Sequence, residues 1–354
     1  MKETICVGMS GGVDSSVAAL LLKQQGYHVI GLFMKNWEEK DANGVCQSTR
    51  DYEDVVRVCE TLDIPYYGVN FVQEYWKSVF EPFISDLKQG LTPNPDLLCN
   101  REIKFQVFLD KALELGASKL ATGHYCRIGM EGANPQLLRG KDPNKDQSYF
   151  LASINGNALN HVLFPIGDLM KSEVRELART HGLATSEKRD STGICFIGKR
   201  NFKEFVSQYV QTEPGEFITP EGEVVGRHDG APFYTIGQRR GLGIGGAGDP
   251  WFVVDKDLSL NRVVVVQGEN HPALYKEGLL ANELNWISPN SLDTLPFACS
   301  CKVRYRQNDV SCIIESIENG VAKVKFANPE RAITPRQAVV FYKGDVCLGS
   351  GIIV

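Results

Sequence analysis

A loop rich in glycine and serine, residues 8–15 (GMSGGVDS), follows a short apolar stretch and precedes a helical pattern. Its glycines allow several backbone N–H groups to converge, and the N-terminus of a helix attracts negative charge, so the loop suits the phosphates of a nucleotide. It is not a Walker A loop, because no Gly-Lys-Ser/Thr follows. Asp14 within it predicts a divalent cation that bridges this carboxylate to the nucleotide. The alternative is a tight strand-to-helix turn capped by Ser15.

Two cysteines lie in surroundings that favour a reactive thiolate. Cys99 follows Asp96 by three positions at the start of a long helical pattern, and a helix N-terminus lowers the pKa of a thiol. Cys195 follows a polar turn that contains Gly193, and lysine and arginine residues flank this stretch on both sides. For each cysteine, the alternative is a small apolar residue packed in a helix or a strand.

The order of the elements that must position these residues can be predicted from periodicity. Residues 1 to about 200 alternate short apolar strands with helices, which is typical of a parallel α/β sheet. From about residue 201, proline, glycine and short strands dominate, and from about residue 276 the pattern is all-β. We therefore expect three domains, in residues 1–200, 201–275 and 276–354.

The last of these regions has the features of a small β-barrel. Asn319-Gly320 is a hairpin turn signal, and residues 342–345 are a second hairpin candidate. Residues 301–306 alternate apolar and basic side chains, which predicts a strand with one basic face.

The composition is that of an ordinary globular protein. The chain has 354 residues, 43% of them hydrophobic and 23% charged, with a formal net charge of −5, which excludes disordered and fibrous classes. No apolar run approaches the roughly 18 residues of a membrane span, and the glycine-rich loop begins close to Met1, so we expect no membrane segment, no cleavable signal and a cytoplasmic protein. The ten cysteines predict buried thiols, and their spacing predicts no structural metal site.

Residues 241–246 (GLGIGG) match the dinucleotide-binding pattern G-x-G-x-x-G. That interpretation requires a strand before the glycines and a helix after them. Arg239 and Arg240 precede the motif, and Pro250 follows it closely, which a helix interior would not tolerate. We therefore interpret the segment as a glycine-rich loop beside two arginines.

The string at residues 10–15 (SGGVDS) resembles the PP-loop of the ATP pyrophosphatase superfamily, whose members use ATP to adenylate a carbonyl oxygen. Two further strings, at residues 94–102 (NPDLLCNRE) and 190–196 (DSTGICF), indicate which family of this superfamily the chain resembles. Together and in this order they resemble the tRNA-specific 2-thiouridylase (MnmA) family, and the similarity extends over essentially the whole chain. Further family-like strings are residues 121–125, 145–149, 233–241 and 303–306.

This resemblance implies a fold and a reaction. The fold would be an α/β, parallel-sheet PP-loop domain of the adenine nucleotide alpha hydrolase-like type, then a small central tRNA-binding domain and a C-terminal all-β barrel. The enzyme would be a tRNA-uridine 2-sulfurtransferase that replaces the 2-oxygen of the wobble uridine by sulfur in the tRNAs for Lys, Glu and Gln. ATP with Mg²⁺ would adenylate that oxygen, and AMP and pyrophosphate would be released.

The resemblance also implies the route of the sulfur. Cys195 matches the persulfide carrier, which would be loaded by a sulfur-relay protein fed by a cysteine desulfurase. Cys99 matches the catalytic nucleophile, Asp96 the acid or base, and the two cysteines would approach within disulfide range during turnover. After sulfur delivery the two thiols can close as a disulfide, or Cys99 can attack the base covalently, and the sequence leaves both routes open.

The remaining implied contacts concern the nucleotide and the tRNA. Positions that match the family's ATP contacts are Gly8, Met9, Ser10, Gly11, Gly12, Val13, Asp14, Ser15, Met34 and Gly123. Positions that match contacts with the target base or the tRNA are Asn94, Pro95, Asp96, His124, Lys145, Asp146, Gln147, Tyr305, Arg306 and Gln337. Taken from spacing alone, an ordinary structural role remains the alternative for the residues outside the three main strings.

Three rival functions remain open at the level of sequence. A small-molecule PP-loop synthetase would explain the loop and the α/β half, but not the two cysteine motifs. A nucleotide-binding RNA adaptor without catalysis would keep its function when both cysteines are replaced. A tRNA thiolase that acts on another base is a third possibility, although such enzymes often carry metal-binding cysteine pairs.

Overall fold

The computed structural model describes residues 2–38, 47–190, 201–288, 292 and 294–354. The strands before residue 200 are β1 (Thr4–Met9), β2 (His28–Lys35), β3 (Tyr66–Asn70), β4 (Lys119–Ala121), β5 (Cys126–Glu131), β6 (Asn134–Arg139) and β7 (Val162–Leu163). The α-helices of the same region are α1 (Val13–Gln24), α2 (Gln47–Leu62), α3 (Val72–Tyr75), α4 (Glu81–Lys88), α5 (Pro95–Leu98), α6 (Phe108–Glu114), α7 (Ser148–Leu151) and α8 (Lys171–Thr180). Wider, π-helical segments are Trp76–Phe80 and Cys99–Val107, and Gly156–His161 is a 3₁₀ helix.

Five of these strands form the predicted parallel sheet, in the order β3-β2-β1-β4-β7. The central strand β1 is an apolar run whose Ile5, Cys6 and Val7 are fully buried, as expected for a strand covered on both faces. The chain moves from β1 to β2 and β3 on one side, and places β4 and β7 on the other. In open α/β sheets, ligands bind at the carboxyl ends of the strands where the order reverses, which is here between β1 and β4.

Helix α2 shows how the sequence pattern produces the packing around this sheet. Its apolar residues Val55, Val58, Cys59 and Leu62 recur at i, i+3, i+4 and i+7, and all four are buried. Cys59 contacts the sheet, because its Sγ lies 2.9 Å from the position that a Cβ on Gly31 of β2 would take. The helix is thereby held beside the loop that follows β1.

A smaller unit follows, with α9 (Phe202–Val206) and the strands β8 (Gly215–Ile218), β9 (Val224–His228), β10 (Trp251–Asp257) and β11 (Arg262–Gln267). The strand order is β10-β11-β8-β9, and Ala231–Phe233 is a short 3₁₀ helix. Residues 241–246, all of which the structure describes, form an irregular connection before β10. The dinucleotide-binding interpretation of this segment is therefore excluded, as predicted, because the helix that it requires is not formed.

The C-terminal strands are β12 (Tyr275–Trp286), β13 (Phe297–Lys302), β14 (Val310–Glu318), β15 (Val321–Arg331), β16 (Ala338–Lys343) and β17 (Val346–Ile353). They pair antiparallel in the order β12-β15-β14-β13-β16-β17, and a pairing of β12 with β17 closes the sheet into the predicted barrel. The Asn319-Gly320 hairpin is confirmed, since the two residues have φ of 51° and 76°, as a tight turn of this kind requires. Among the helices of the described chain, none has the length and hydropathy needed to cross a membrane.

One pairing of this barrel was not predicted. Strands β5 and β6 form an antiparallel hairpin that belongs, in sequence, to the α/β region, yet β6 pairs with β17 of the barrel. An ion pair between Arg127 and Asp345 at 2.8 Å supports this junction. The hairpin therefore ties the barrel to the parallel sheet, a long-range contact that no local pattern reveals.

The prediction of a strand over residues 301–306 is wrong beyond Lys302. The backbone N–H groups of Val303 and Arg304 donate to Oε1 of Gln307, at 2.9 and 3.2 Å, and not to a neighbouring strand. Arg306 has φ of 64°, a left-handed conformation that no regular strand contains. The loop between β13 and β14 therefore carries Tyr305 and Arg306 away from the barrel wall.

Candidate active site

The end of β1 and the loop that follows it are closely packed at two glycines. Gly11 has φ of 72°, and a Cβ added there would lie 2.5 Å from the carbonyl oxygen of Asp51 in α2. A Cβ added at Gly8 would lie 2.9 Å from Cε1 of Phe108. The loop is thus held between two helices at the carboxyl end of β1.

The first turn of α1 has the properties of an anion-binding site. Gly12 is the N-cap residue, and no side chain of the described residues caps this helix end. The hydroxyls of Ser15 and Ser16 donate instead to the carbonyl oxygen of Gly12, at 3.1 and 2.9 Å. Ser15 does not cap α1, although its hydroxyl accepts the backbone N–H of Ser10 at 3.2 Å and so stabilises the turn before the helix. The backbone N–H groups at the start of a helix have no partner within the helix, which suits them to bind an anion.

Asp14 is held by two groups from distant parts of the chain. The hydroxyl of Tyr125 donates to Oδ1 of Asp14 at 2.8 Å, and Nζ of Lys171 contacts both carboxylate oxygens, at 2.7 and 2.8 Å. Burial, and next the charge of Asp14, raise the pKa of Tyr125, so this phenol remains a donor. Asp14 is a carboxylate of the kind that holds Mg²⁺ together with nucleotide phosphates, and a cation there would share it with Lys171.

Two other predicted nucleotide positions lie at the same edge of the sheet. A Cβ added at Gly123, just after β4, would lie 2.6 Å from the backbone nitrogen of Ser15 and 3.0 Å from Cβ of Asp14. Met34 is buried near the end of β2, the neighbour of β1 on the other side. The fold therefore brings together the loop, Gly123 and Met34, and the site fits the phosphates of ATP.

Cys99 lies in a helical run that begins with a strong local signal. The side chain of Asn94 accepts the backbone N–H of Asp96 at 3.2 Å and so caps α5, whose first residue is Pro95. Cys99 follows as the first residue of the π-helical segment, and its side chain is fully buried. It lies in the second turn, where the helix dipole acts more weakly than at the start. Asn94, Pro95 and Asp96 are only half-buried.

The segment that opens with Asp190 meets the nucleotide loop through ion pairs. Oδ1 of Asp190 lies 2.9 Å from Nζ of Lys171 and 2.7 Å from the guanidinium of Arg175, and Oδ2 lies 2.5 Å from Nζ of Lys145. Burial alone would raise the pKa of Asp190, but the hydrogen bonds from Lys145 and Lys171 lower it to about 2. Cys195, five positions further on, lies outside the described residues.

Sequence reasoning did not identify Lys171 and Arg175. One signal could have pointed to the former, because Lys171 is the first residue of α8, where the helix dipole disfavours a cation. Neither residue belongs to a recognisable string, and only the fold places both beside Asp190.

His124 follows Gly123 and lies between two aromatic rings. Its ring centroid is 5.7 Å from that of Phe105 and 6.3 Å from that of Phe164, and its Nδ1 is 2.8 Å from Oγ1 of Thr122. Burial, and next the charge of Lys104, lower the pKa of His124 well below its usual value. The imidazole is therefore neutral near pH 7.

We expect NMR to show no titration of the His124 ring between about pH 8 and about pH 6, because the folded chain disfavours the charged ring. Stability should fall as the pH drops below the ordinary histidine pKa, since the unfolded chain then takes up a proton that the folded chain does not. Replacing Lys104 by methionine removes the nearby positive charge that lowers the pKa of His124, so this pKa should rise. A midpoint at the ordinary value in the unaltered protein would contradict this account.

Residues 145–147 make internal contacts. Asp146 is buried and accepts the backbone N–H groups of Gly140 and Ser148, both at 3.1 Å. Oε1 of Gln147 accepts the backbone N–H of Tyr125 at 2.9 Å. These bonds fix the connection between β6 and α7 around Asp14 and Asp190, and a contact of these residues with tRNA stays a prediction.

The barrel contributes three further predicted residues, Tyr305, Arg306 and Gln337, near the Cys99 helix. The ring of Tyr305 lies 4.4 Å from that of Phe150, and the exposed guanidinium of Arg306 lies 5.4 Å from the Tyr305 ring. Nε2 of Gln337 donates to the carbonyl oxygen of Thr92 at 2.5 Å, two residues before Asn94. The fold thus places Gln337 and Tyr305 next to the first domain.

Three family models together match almost the whole chain. They are described as the tRNA methyl transferase HUP domain, at residues 3–199, the tRNA methyl transferase PRC-barrel domain, at residues 203–267, and the aminomethyltransferase beta-barrel domain, at residues 276–353. The matched regions correspond to the parallel-sheet unit, the smaller β-rich unit and the closed barrel described above.

Curated relatives are similar over the same length. The tRNA-specific 2-thiouridylase MnmA of Protochlamydia amoebophila is 61% identical over 99% of this chain and 93% of that protein. The protein of the same name from Halalkalibacterium halodurans is 58% identical over 99% of this chain and 95% of that protein. A solved structure, the U34-tRNA thiolase NcsA of Methanococcus maripaludis, is 18% identical with a TM-score of 0.37, covers 58% of this chain and 65% of that chain, and supports no argument here. On the strength of the family models and of these full-length relatives, the chain belongs to the tRNA-specific 2-thiouridylase (MnmA) family.

Proposed function

We propose that this protein replaces the 2-oxygen of the wobble uridine by sulfur in the tRNAs for Lys, Glu and Gln. The observation that carries the proposal is its full-length similarity to 2-thiouridylases, at 61% identity to the first relative above. The geometry agrees with it, because the uncapped start of α1 and the Asp190 segment share a single ion cluster around Lys171.

ATP with Mg²⁺ supplies the activation, by adenylation of the base oxygen with release of pyrophosphate. The chain binds the phosphates through the N–H groups of the first turn of α1 and orients Asp14 through Tyr125 and Lys171. The close approach of Gly123 to the backbone of Ser15 leaves no room for a side chain at this edge. Positioning and electrostatics are thus the contributions of this loop.

The sulfur arrives as a persulfide on Cys195, loaded by a sulfur-relay protein that draws on a cysteine desulfurase. The terminal sulfur attacks C2 of the activated base, and AMP leaves with the former oxygen. A Cys99 thiolate then attacks the sulfur of Cys195, which leaves the sulfur on the base and joins the two cysteines in a disulfide. In the other route the Cys99 thiolate first attacks C2 and displaces AMP. The terminal persulfide sulfur then displaces Cys99 from C2, and Cys99 attacks the sulfur of Cys195 as in the first route. Asp96, half-buried at the start of the same helical run, serves as the acid or base.

The tRNA lies against the Cys99 helix and the loop of the barrel. Chemistry on a base requires that the base leave its stack, and the half-buried residues Asn94, Pro95 and Asp96 suit a flipped uridine. Tyr305 offers an aromatic face and Arg306 a cation for the phosphates, a combination common in proteins that bind single-stranded RNA. Lys145 pairs with Asp190, and His124 directly follows Gly123, which packs against Asp14 and Ser15.

Replacing Tyr305 by alanine should weaken tRNA binding by about fivefold to 150-fold, because stacking of one base on an aromatic ring contributes about 1–3 kcal/mol. Tyr305→Phe keeps the ring and should bind nearly as well as the unaltered protein. Titration of a labelled tRNA anticodon stem-loop measures both dissociation constants. Equal affinities of Tyr305→Ala and Tyr305→Phe would contradict a stacking role.

The decisive test of the function is reconstitution. Purified protein, ATP, Mg²⁺, a persulfide donor and unmodified glutamate tRNA should yield 2-thiouridine, measured by nucleoside mass spectrometry. Omission of ATP, or replacement of Cys195 by alanine, should abolish the product. Pyrophosphate release that proceeds fully without RNA, and no thiouridine, would favour a small-molecule synthetase.

A further inference from the structure

The ammonium group of Lys171 joins the nucleotide loop, residues 8–15, to Asp190, the first residue of the string at residues 190–196. Nζ of Lys171 lies 2.7 Å from a carboxylate oxygen of Asp14 and 2.9 Å from one of Asp190. Its side chain is only 11% exposed, whereas those of Asp14 and Asp190 are 32% and 31% exposed. A largely buried cation with two carboxylate partners is much more costly to leave unpaired than an exposed one, so this contact is a strong constraint.

The chain just before the third motif is fixed from other sides as well. The guanidinium of Arg175 donates to Asp190 and also to the carbonyl oxygens of Ser186 and Lys188, at 3.0 and 3.1 Å. Nζ of Lys188 lies 2.8 Å from a carboxylate oxygen of Asp51, and the backbone carbonyl of Asp51 packs against Gly11. The path of residues 186–190 is therefore set by contacts with α8 and with the surroundings of the nucleotide loop.

The position of Lys171 at the start of α8 is electrostatically unfavourable for the helix itself. The backbone N–H of Lys171 donates to Asp142 at 3.0 Å, and this carboxylate, unlike the lysine side chain, complements the positive end of the helix. The side chain is thereby directed to the two carboxylates. Its placement is explained by Asp14 and Asp190 and not by the stability of α8.

We propose that Lys171 is a positioning residue for sulfur transfer: by binding Asp14 and Asp190 together, it anchors the start of the Cys195 segment to the nucleotide loop. This inference rests on the proposed function. Cys195 follows Asp190 by five positions, a span that an extended chain covers in at most about 18 Å. Because the anchor joins Asp190 to Asp14, the chain that leads to Cys195 starts beside the nucleotide loop.

Through Lys171, the anchor also links adenylation of the base to the transfer of sulfur from Cys195. An ammonium group has three N–H donors, and Asp14 and Asp190 draw on the same three. When Asp190 is lost, Asp14 keeps its contacts with Tyr125 and Lys171, whereas loss of Lys171 removes this cation from both carboxylates. Loss of Asp190 should impair sulfur transfer while leaving nucleotide use nearly intact, whereas loss of Lys171 should impair both.

The test uses the full chain with Cys195 preloaded as a persulfide. In Asp190→Asn we expect single-turnover transfer of sulfur to tRNA to fall about tenfold to a hundredfold, as misplacement of a reacting group by about 1 Å can do. The KM for ATP should stay within about threefold, which separates positioning from nucleotide binding. Lys171→Ala should lower sulfur transfer and raise the KM for ATP, and Lys171→Arg should restore much of both.

Glu187→Gln is the matched control, because Glu187 lies in the same segment but pairs with the half-exposed Arg179 and not with Lys171 or Arg175. Its side chain is 77% exposed, and its loss should change neither sulfur transfer nor the KM for ATP. Hydrogen–deuterium exchange of residues 186–190 gives a readout that needs no activity. Exchange should rise in Asp190→Asn and Lys171→Ala and stay unchanged in Glu187→Gln.

The outcomes separate the two proposals. Sulfur transfer at the unaltered rate in Asp190→Asn, or unchanged exchange of residues 186–190 in Lys171→Ala, would overturn the anchor. Absence of 2-thiouridine with the unaltered protein, while exchange responds as expected, would overturn the proposed function and the role of the anchor in sulfur transfer. Circular dichroism and thermal unfolding establish that each variant is folded.

Discussion

Replacing Cys99 by serine is expected to lower the formation of 2-thiouridine at least about a thousandfold, the scale of losing one member of a group that acts as a unit. Both routes proposed above use the Cys99 thiolate, and a serine hydroxyl is neither ionised near neutrality nor able to exchange with a persulfide. The persulfide on Cys195 should still be loaded. Nucleoside mass spectrometry measures the product, and intact-protein mass spectrometry measures the persulfide.

Cys59→Ser provides a matched control for the burial of a hydroxyl. Like Cys99, Cys59 is fully buried in a helical segment, but it packs between α2 and the sheet. Each serine should lower the free energy of unfolding by about 1–3 kcal/mol, the scale of placing a hydroxyl where a buried thiol packs. Only Cys99→Ser should lose activity. Full thiolation by Cys99→Ser would exclude both routes and return this cysteine to a packing role.

Replacing Gly11 by alanine should reduce ATP-dependent activity by about a hundredfold or more and weaken ATP binding. An alanine at φ of 72° is strained, and its Cβ would lie 2.5 Å from the carbonyl oxygen of Asp51. The loop must shift to relieve this contact, so the N–H groups at the start of α1 lose their alignment. Isothermal titration with ATP and steady-state kinetics measure the two effects.

Gly26→Ala separates conformational strain from the close contact. Gly26 follows the other end of α1 with φ of 88°, and a Cβ there would meet nothing within 4 Å. Urea unfolding should show that Gly26→Ala loses about 1–2 kcal/mol of stability through strain in the left-handed region, while ATP binding stays unchanged. If Gly11→Ala bound ATP as well as Gly26→Ala does, the loop would not be the phosphate site.

Much of this protein follows from local sequence. The apolar runs of β1 and β2 predict a parallel sheet, because a continuous apolar strand without polar alternation must be covered on both faces. The glycine-serine string predicts a phosphate site, because only glycine adopts the φ of Gly11 at such a close approach. Asn319-Gly320 predicts a hairpin for a similar reason, since both residues take positive φ. In each case, the deciding physics acts within a few residues.

Other features were decided only by the tertiary structure. The pairing of β6 with β17 joins residues about two hundred positions apart, and the end of β13 at Lys302 depends on Gln307, which takes the N–H groups of Val303 and Arg304. The contact of Lys171 with Asp14 and Asp190 likewise arises from three separate segments of chain. Sequence patterns report periodicity and turn chemistry, which are local, whereas an ion cluster forms only where the folded backbone brings distant charges together. The sequence by itself therefore determined the sheet, the barrel and the chemical motifs, and the tertiary structure decided how they are joined.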